Sequence, residues 1–218
     1  MKSLILLVGI ILLLCVGASA QPATVGISGK GVKIGFGITN INTEYEELDE
    51  FLDSRVGFSG GGFLTYDFNR QFAIQPEILF VTKGAEKDLL FVSAEWAIDY
   101  LEIPVLLKFD FVPDGPVHPN LYVGPALDIL LSSEFRVIDL SYDVTDAMKS
   151  TDVGLVIGGG LDYRRVTFDL RYTIGLLNVV DADKINELTE AEPGDFYYLE
   201  NDPSIKNLEF SFMVGINF

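Results

Sequence analysis

Several groups of residues in this sequence have types and spacing that could carry chemistry. Gly57-Phe58-Ser59-Gly60-Gly61 matches the G-x-S-x-G pattern, in which a sharp strand-to-helix turn exposes a serine nucleophile for acyl transfer. Such a serine needs a general base, and His118 is the one histidine in the chain. Glu77 and Glu102 could act as an acid–base pair if the fold brings them together. Asp181-Ala182-Asp183 offers hard oxygen ligands to a divalent cation, although it supplies too few at fixed spacing for a calcium loop. Gly158-Gly159-Gly160 lacks the Lys-Ser/Thr that would make it a phosphate loop.

Each group also has a plainer reading, and the elements that position it decide between the two. Segments of alternating apolar and polar residues recur near 31–41, 56–68, 71–83, 97–110, 120–133, 152–163, 166–177 and 207–218. Period-2 alternation marks β-strands with one face buried in an apolar phase. In the last segment Leu208, Phe210, Phe212, Val214, Ile216 and Phe218 share one face, opposite Glu209, Ser211, Met213, Gly215 and Asn217. Strands of about 10 residues exceed the globular mode of about 5–6 and suit a tilted crossing of a bilayer. Short connections (Phe68-Asn69-Arg70, 111–119 and Arg164-Arg165) alternate with longer, mostly acidic ones such as 42–55 and 178–206. Short turns at one end and long loops at the other are the pattern of outer-membrane barrels.

In that frame Ser59 sits in a glycine-rich strand with no helix after it. His118 falls in a short turn at the far end, so no Ser–His pair can form and no enzyme is expected. The lumen-facing residues Glu77, Glu102, Lys108, Asp169, Arg171 and Glu209 are expected to form an ion-pair network, which fills a narrow barrel. Lys33 and Asp128 share that polar face. The aromatic residues Tyr66, Phe68, Phe72, Trp96, Tyr100, Phe109, Phe111, Tyr163 and Tyr172 gather near strand ends, as interfacial girdles do. No cofactor or metal is expected.

Composition agrees with an exported membrane protein. Residues 1–20 read as a signal peptide, with Lys2, an apolar run from Leu4 to Val16, and Ala18-Ser19-Ala20 as the cleavage site; residues 21–218 then form the barrel domain. The 13-residue run is too short for a membrane-spanning helix, which needs about 20. With 32 acidic against 15 basic residues and a net charge of −17, the chain has no electrostatic footprint for nucleic acid. Cys15 is the only cysteine, so no internal disulfide can form.

The strands also resemble the PorT-like outer-membrane β-barrel family. The matching stretches are Gln75-Pro76-Glu77-Ile78-Leu79-Phe80 with Lys83-Gly84, and Tyr100-Leu101-Glu102-Ile103-Pro104-Val105-Leu106-Leu107-Lys108. Leu121-Tyr122-Val123-Gly124-Pro125-Ala126 with Leu130-Leu131-Ser132, and Arg171-Tyr172 with Gly175-Leu176, continue the resemblance. It implies an eight-stranded antiparallel up-and-down transmembrane β-barrel in the outer membrane of a Gram-negative-type bacterium. It also implies that Phe218 resembles the C-terminal assembly signal read by the barrel-insertion machinery. The expected role is structural or interactive, displaying acidic loops or joining an envelope or secretion assembly, with outer-membrane lipid as a partner. Two rivals stay open: a barrel, soluble or membrane-bound, that holds a small apolar ligand inside, and an outer-membrane lipid hydrolase.

Overall fold

The computed structural model describes residues 25–43, 53–89, 92–137, 140–181, 184 and 205–218. The signal-peptide expectation for residues 1–20 lies outside them, as do Glu44, Glu46, Glu47, Asp49, Glu50 and Asp183 of the acidic segments. Nearly every described residue is in a strand: β1 (Gly26–Thr43), β2 (Asp53–Asp67), β3 (Phe72–Leu89), β4 (Val92–Asp110), β5 (Val117–Val137), β6 (Leu140–Asp143), β7 (Thr151–Tyr163), β8 (Val166–Gly175) and β9 (Ile205–Asn217). Each long strand pairs antiparallel with its neighbours. Pairing of β1 with β9, from Gly31↔Asn217 to Thr43↔Ile205, closes the sheet. Eight strands form the wall. The ninth, β6, is a short return strand on the end of β5, where Glu134↔Asp143 and Val137↔Leu140 pair. Closure leaves no ladder edge unpaired within the wall, which the absence of water in lipid requires.

Local chemistry fixes the tight turns at one end. Between β2 and β3 the Asn69 side chain accepts from the backbone N–H of Gln71 and of Phe72, each at 2.8 Å, which makes an Asx turn. Between β4 and β5 the Asp110 carboxylate accepts from the Val112 N–H at 2.8 Å, and Gly115 N–H reaches the Val112 carbonyl at 3.2 Å. The β7–β8 hairpin turns on Arg164 and Arg165 alone.

At the opposite end the structure corrects the sequence reading. The stretch between the third and fourth predicted segments is not a loop: β3 and β4 continue paired as far as Leu89↔Val92. Likewise β5 runs to Val137, past the predicted end at 133. The outward apolar row stops there because a hairpin standing clear of lipid needs no apolar outer face; on β4 Trp96 and Ile98 turn inward instead. A bulge on β5, where Leu131 is left unpaired between the partners of Asp99 and Tyr100, further shifts the register and flips the parity of β5 beyond it.

The burial pattern settles which face is outside. Val56, Ile34 and Phe36 are 68%, 62% and 61% exposed, whereas Lys33 and Glu77 are 1% exposed. A water-soluble barrel with an apolar interior would show the reverse. On β9 the outward apolar row from Leu208 to Phe218 covers ten residue steps, which at about 3.3 Å per step and a tilt of about 40° spans roughly 25 Å. That is the height of the apolar band on outer-membrane barrels.

Candidate functional site: a charged lumen

Strand alternation places the polar faces of eight strands inside one narrow wall, and the lumen divides into three layers. The middle layer is a charge-balanced cluster. Lys33 on β1 donates to Glu77 on β3 and to Asp169 on β8, both at 2.8 Å. Arg171 on β8 reaches Glu77 with Nη1 at 2.9 Å. β3 and β8 stand four strands apart in the closed ring of eight, so this bond crosses the full width of the lumen. Two cations face two carboxylates, and all four side chains are at most 2% exposed. Gln75 adds a hydrogen bond to Glu77 at 2.6 Å. The Lys33 ammonium lies 4.8 Å from the Phe63 ring centroid, and the Arg171 guanidinium 5.6 Å from that of Tyr122.

Above it, toward the long hairpins, Lys83 on β3 donates to Glu102 on β4 at 2.9 Å and to Asp128 on β5 at 2.7 Å. An apolar cap of Ile98, Tyr100, Met148, Val179 and Val180 closes this end, with Trp96, Leu130 and Ile205 packed against it. The lower layer is a polar vestibule of about 480 Å³ at the short-turn end, lined among others by Asp67, Lys108, Asp110, His118 and Asp162.

This arrangement separates residues that the sequence reading grouped as one network. Glu77 and Glu102 lie on adjacent strands but belong to different clusters, held by different cations. Lys108 touches neither; it donates to Gln75 and to Asp162, both at 3.2 Å, at the vestibule. Glu209 is buried beside the Lys83 cluster, and among the described residues no ion pair is formed by it. Lys83 was missed, although it shares the inward parity of Gln75 and Glu77; the predicted strand ended on it. Asp152 and Asp162 were missed for a similar reason, lying near the two ends of the predicted segment 152–163.

Two girdle residues are also corrected. Tyr100 is 0% exposed and its hydroxyl accepts from Asn207 at 3.3 Å inside the lumen. Trp96 likewise faces in, donating to the Ser133 hydroxyl at 2.9 Å. Both share the parity of Glu102, which forces them inward. Tyr66, Phe68, Phe72, Phe109 and Phe111 do cluster outside at the short-turn end, where Tyr66–Phe68, Phe72–Phe109 and Phe109–Phe111 ring centroids lie 5.7, 5.0 and 5.0 Å apart, whereas Tyr172 faces outward opposite Phe210, well up β8 from the turn.

A membrane-facing apolar wall around an ion-paired interior is the architecture of an outer-membrane protein. A family model described as "Outer membrane protein beta-barrel domain" matches residues 20–181. The chain belongs to this outer membrane protein beta-barrel family. Several solved structures are similar to it, and the Neisserial one shares its fold. Neisserial surface protein A is 17% identical with a TM-score of 0.52, covering 88% of this chain and 99% of that one. OprG from Pseudomonas aeruginosa is 12% identical with a TM-score of 0.42, covering 90% and 99%. The attachment invasion locus protein of Yersinia pestis, solved with a heparin analogue, is 14% identical with a TM-score of 0.44, covering 87% and 98%. No curated protein matches the chain. Like other members of its family, this outer-membrane barrel resides in the outer membrane.

The other chemistry candidates resolve within this barrel. Ser59 lies inside β2, opposite Gly35 and Val81, while His118 lines the vestibule and bonds Asp110 at 2.8 Å. The structure does not bring the two together. Gly158, Gly159 and Gly160 are strand residues of β7, facing Arg171, Leu170 and Asp169 of β8. Among the described residues, no three His, Cys, Asp or Glu side chains converge as metal ligands. Asp181 accepts from the Lys184 N–H at 3.3 Å.

Proposed function

We propose that this outer-membrane barrel is a non-enzymatic interaction protein, a rigid anchor that presents the β3–β4 and β5–β6 hairpins beyond the membrane. The finer PorT-like kinship, and with it membership of an envelope or secretion assembly, belongs to the same proposal. The carrying observation is the closed lumen: the Glu77–Arg171 bond spans it, and the apolar cap seals it above. Among the described residues a lumen filled in this way leaves no path for a solute, so what the barrel offers is its ends. By the rule that periplasmic turns are short, the hairpin end faces outward from the cell. Leu140 and Tyr142 of β6 are exposed there, at 60% and 53%. The charged lining also disfavours the rival reading of an apolar ligand inside.

The test is a photo-crosslinking residue placed at Tyr142 in intact cells. A discrete protein adduct at Tyr142, with no adduct from the lipid-facing Phe58, is the expected outcome. Absence of any adduct, together with steady single-channel conductance in a planar bilayer, would overturn the reading. Phe218, 70% exposed where β9 ends, is the side chain offered to the insertion machinery on this proposal. Phe218→Ser should slow assembly in cells while leaving the urea midpoint of refolded barrel unchanged; equal losses in both would reject the signal role.

A further inference from the structure

The short-turn end carries an outward basic patch that neither the fold nor the interaction role requires. Lys30 on β1, and Arg164 and Arg165 in the β7–β8 turn, are all exposed. They flank the end of β9 from both sides: the Asn217 N–H bonds the Arg165 carbonyl at 2.7 Å, and the Phe218 N–H bonds the Lys30 carbonyl at 2.9 Å. Lys30 has the outward parity of Val32 and Ile34, so it stands on the lipid side of the wall. The nearby carboxylates of Asp67 and Asp162 line the vestibule instead. Among the described residues none of the three cations forms an ion pair. A terminal carboxylate on Phe218 would still leave the patch net positive.

A second, independent observation concerns the backbone. Arg164 has φ of 55°, and it is the only residue other than glycine at positive φ among those described. A two-residue hairpin turn with positive φ at its first position favours glycine there, because a side chain crowds the following carbonyl. This chain uses glycine freely, with 21 in all, yet has arginine at that position. The guanidinium lies 5.3 Å from the Tyr163 ring centroid, within the aromatic girdle that marks the membrane boundary. A strained residue that local stability would replace points to a role for its side chain.

We infer that Lys30, Arg164 and Arg165 bind the phosphate of an anionic glycerophospholipid in the membrane leaflet at the short-turn end. Arginine forks and a lysine point charge suit phosphate oxygens, and the outward Ile216, Val166 and Phe218 beside them suit the acyl chains. The site is independent of the hairpin end and of any partner there.

Native mass spectrometry of the folded full chain in detergent tests this, with phosphatidylglycerol and phosphatidylcholine of identical acyl chains as probes. Wild-type protein should retain phosphatidylglycerol at least about tenfold better, and the variant K30Q/R164Q/R165Q should lose that preference. The variant Arg70→Gln, whose partner is Asp114 at the same end, should keep it. Equal retention of the two lipids by wild type, or a preference that survives the triple variant, overturns the site. Displacement by millimolar inorganic phosphate would show a free-anion site and overturn the lipid assignment. Arg164→Gly separates this from a structural role: it should raise the melting temperature by relieving the turn while lowering phosphatidylglycerol retention. A variant that loses stability and lipid together would refute the strain argument.

Discussion

Glu77→Gln will lower the unfolding free energy of the barrel by about 3–5 kcal/mol, the usual consequence of stripping one partner from a buried ion cluster. The substitution keeps the shape of the side chain and removes only its charge. Lys33 and Arg171 are then left facing Asp169 alone, at 2.8 and 3.8 Å, with 1–2% of either cation exposed to water. Desolvating a charge is repaid only when its partner stays in place, and here the partner serves two cations at once. Urea titration of the refolded protein in lipid vesicles, read as the folded fraction on an unheated gel, measures the loss. The second variant makes the cause specific: Glu77→Gln with Lys33→Met restores one cation to one carboxylate, and should recover part of what the single change removes. Asp114→Asn, at the exposed Arg70–Asp114 pair, should stay within about 0.5 kcal/mol of wild type. A Glu77→Gln barrel as stable as wild type would mean that water, not Glu77, solvates these cations, and the closed lumen would have to be given up.

Much of this site was legible because side-chain parity in a strand is a strict alternation. On β4, β8 and β9 the inward rows Glu102–Lys108, Thr167–Thr173 and Glu209–Asn217 come from counting by twos, and a closed wall turns every such row toward one axis. Parity says nothing of depth. Which cation meets which carboxylate depends on the stagger between strands, and Arg171 finds Glu77 across 94 residues and the full lumen. Lys108 shares the face of Glu102 but sits three inward positions lower, among Gln75 and Asp162. The extents of β3, β4 and β5 were illegible for another reason. Beyond the lipid the outer face of a hairpin meets water while the inner face of β4 packs into the apolar cap, so the outward apolar row stops although the ladder continues. Trp96 and Tyr100 are the counterexamples to reading residue type ahead of parity: aromatic chemistry suggested the girdle, whereas the count of positions from Glu102 dictated the lumen.

The glycine-serine motif in β2 carries the other large effect, and it falls on the glycine. Gly61→Val should destabilise the barrel by about 3 kcal/mol, because overpacking a filled interior displaces side chains and backbone together. A Cβ built at Gly61 would collide with the Ile78 carbonyl oxygen and lie 2.8 Å from the Leu79 Cα, both on β3. These are backbone atoms, held by the ladder in which Gly61 pairs with Leu79, and they cannot swing aside. At Gly35, the partner of Ser59 on β1, the nearest side-chain atom is the Met213 Cγ at 2.7 Å. Small residues on β1 and β2 thus make room for Leu79 and Met213, which pack together with Val81. Ser59 fares differently. Its hydroxyl is buried with no hydrogen-bond partner among the described residues, so Ser59→Ala removes an unsatisfied group and should change stability by less than about 1 kcal/mol. A nucleophile elbow predicts the inverse pattern: acyl-ester hydrolysis by the wild type, abolished by Ser59→Ala at unchanged stability. Measuring both variants for urea midpoint and for turnover of a chromogenic ester separates the readings. The barrel requires the first pattern, since Ser59 has β-sheet on both sides and His118 is engaged with Asp110 in the vestibule.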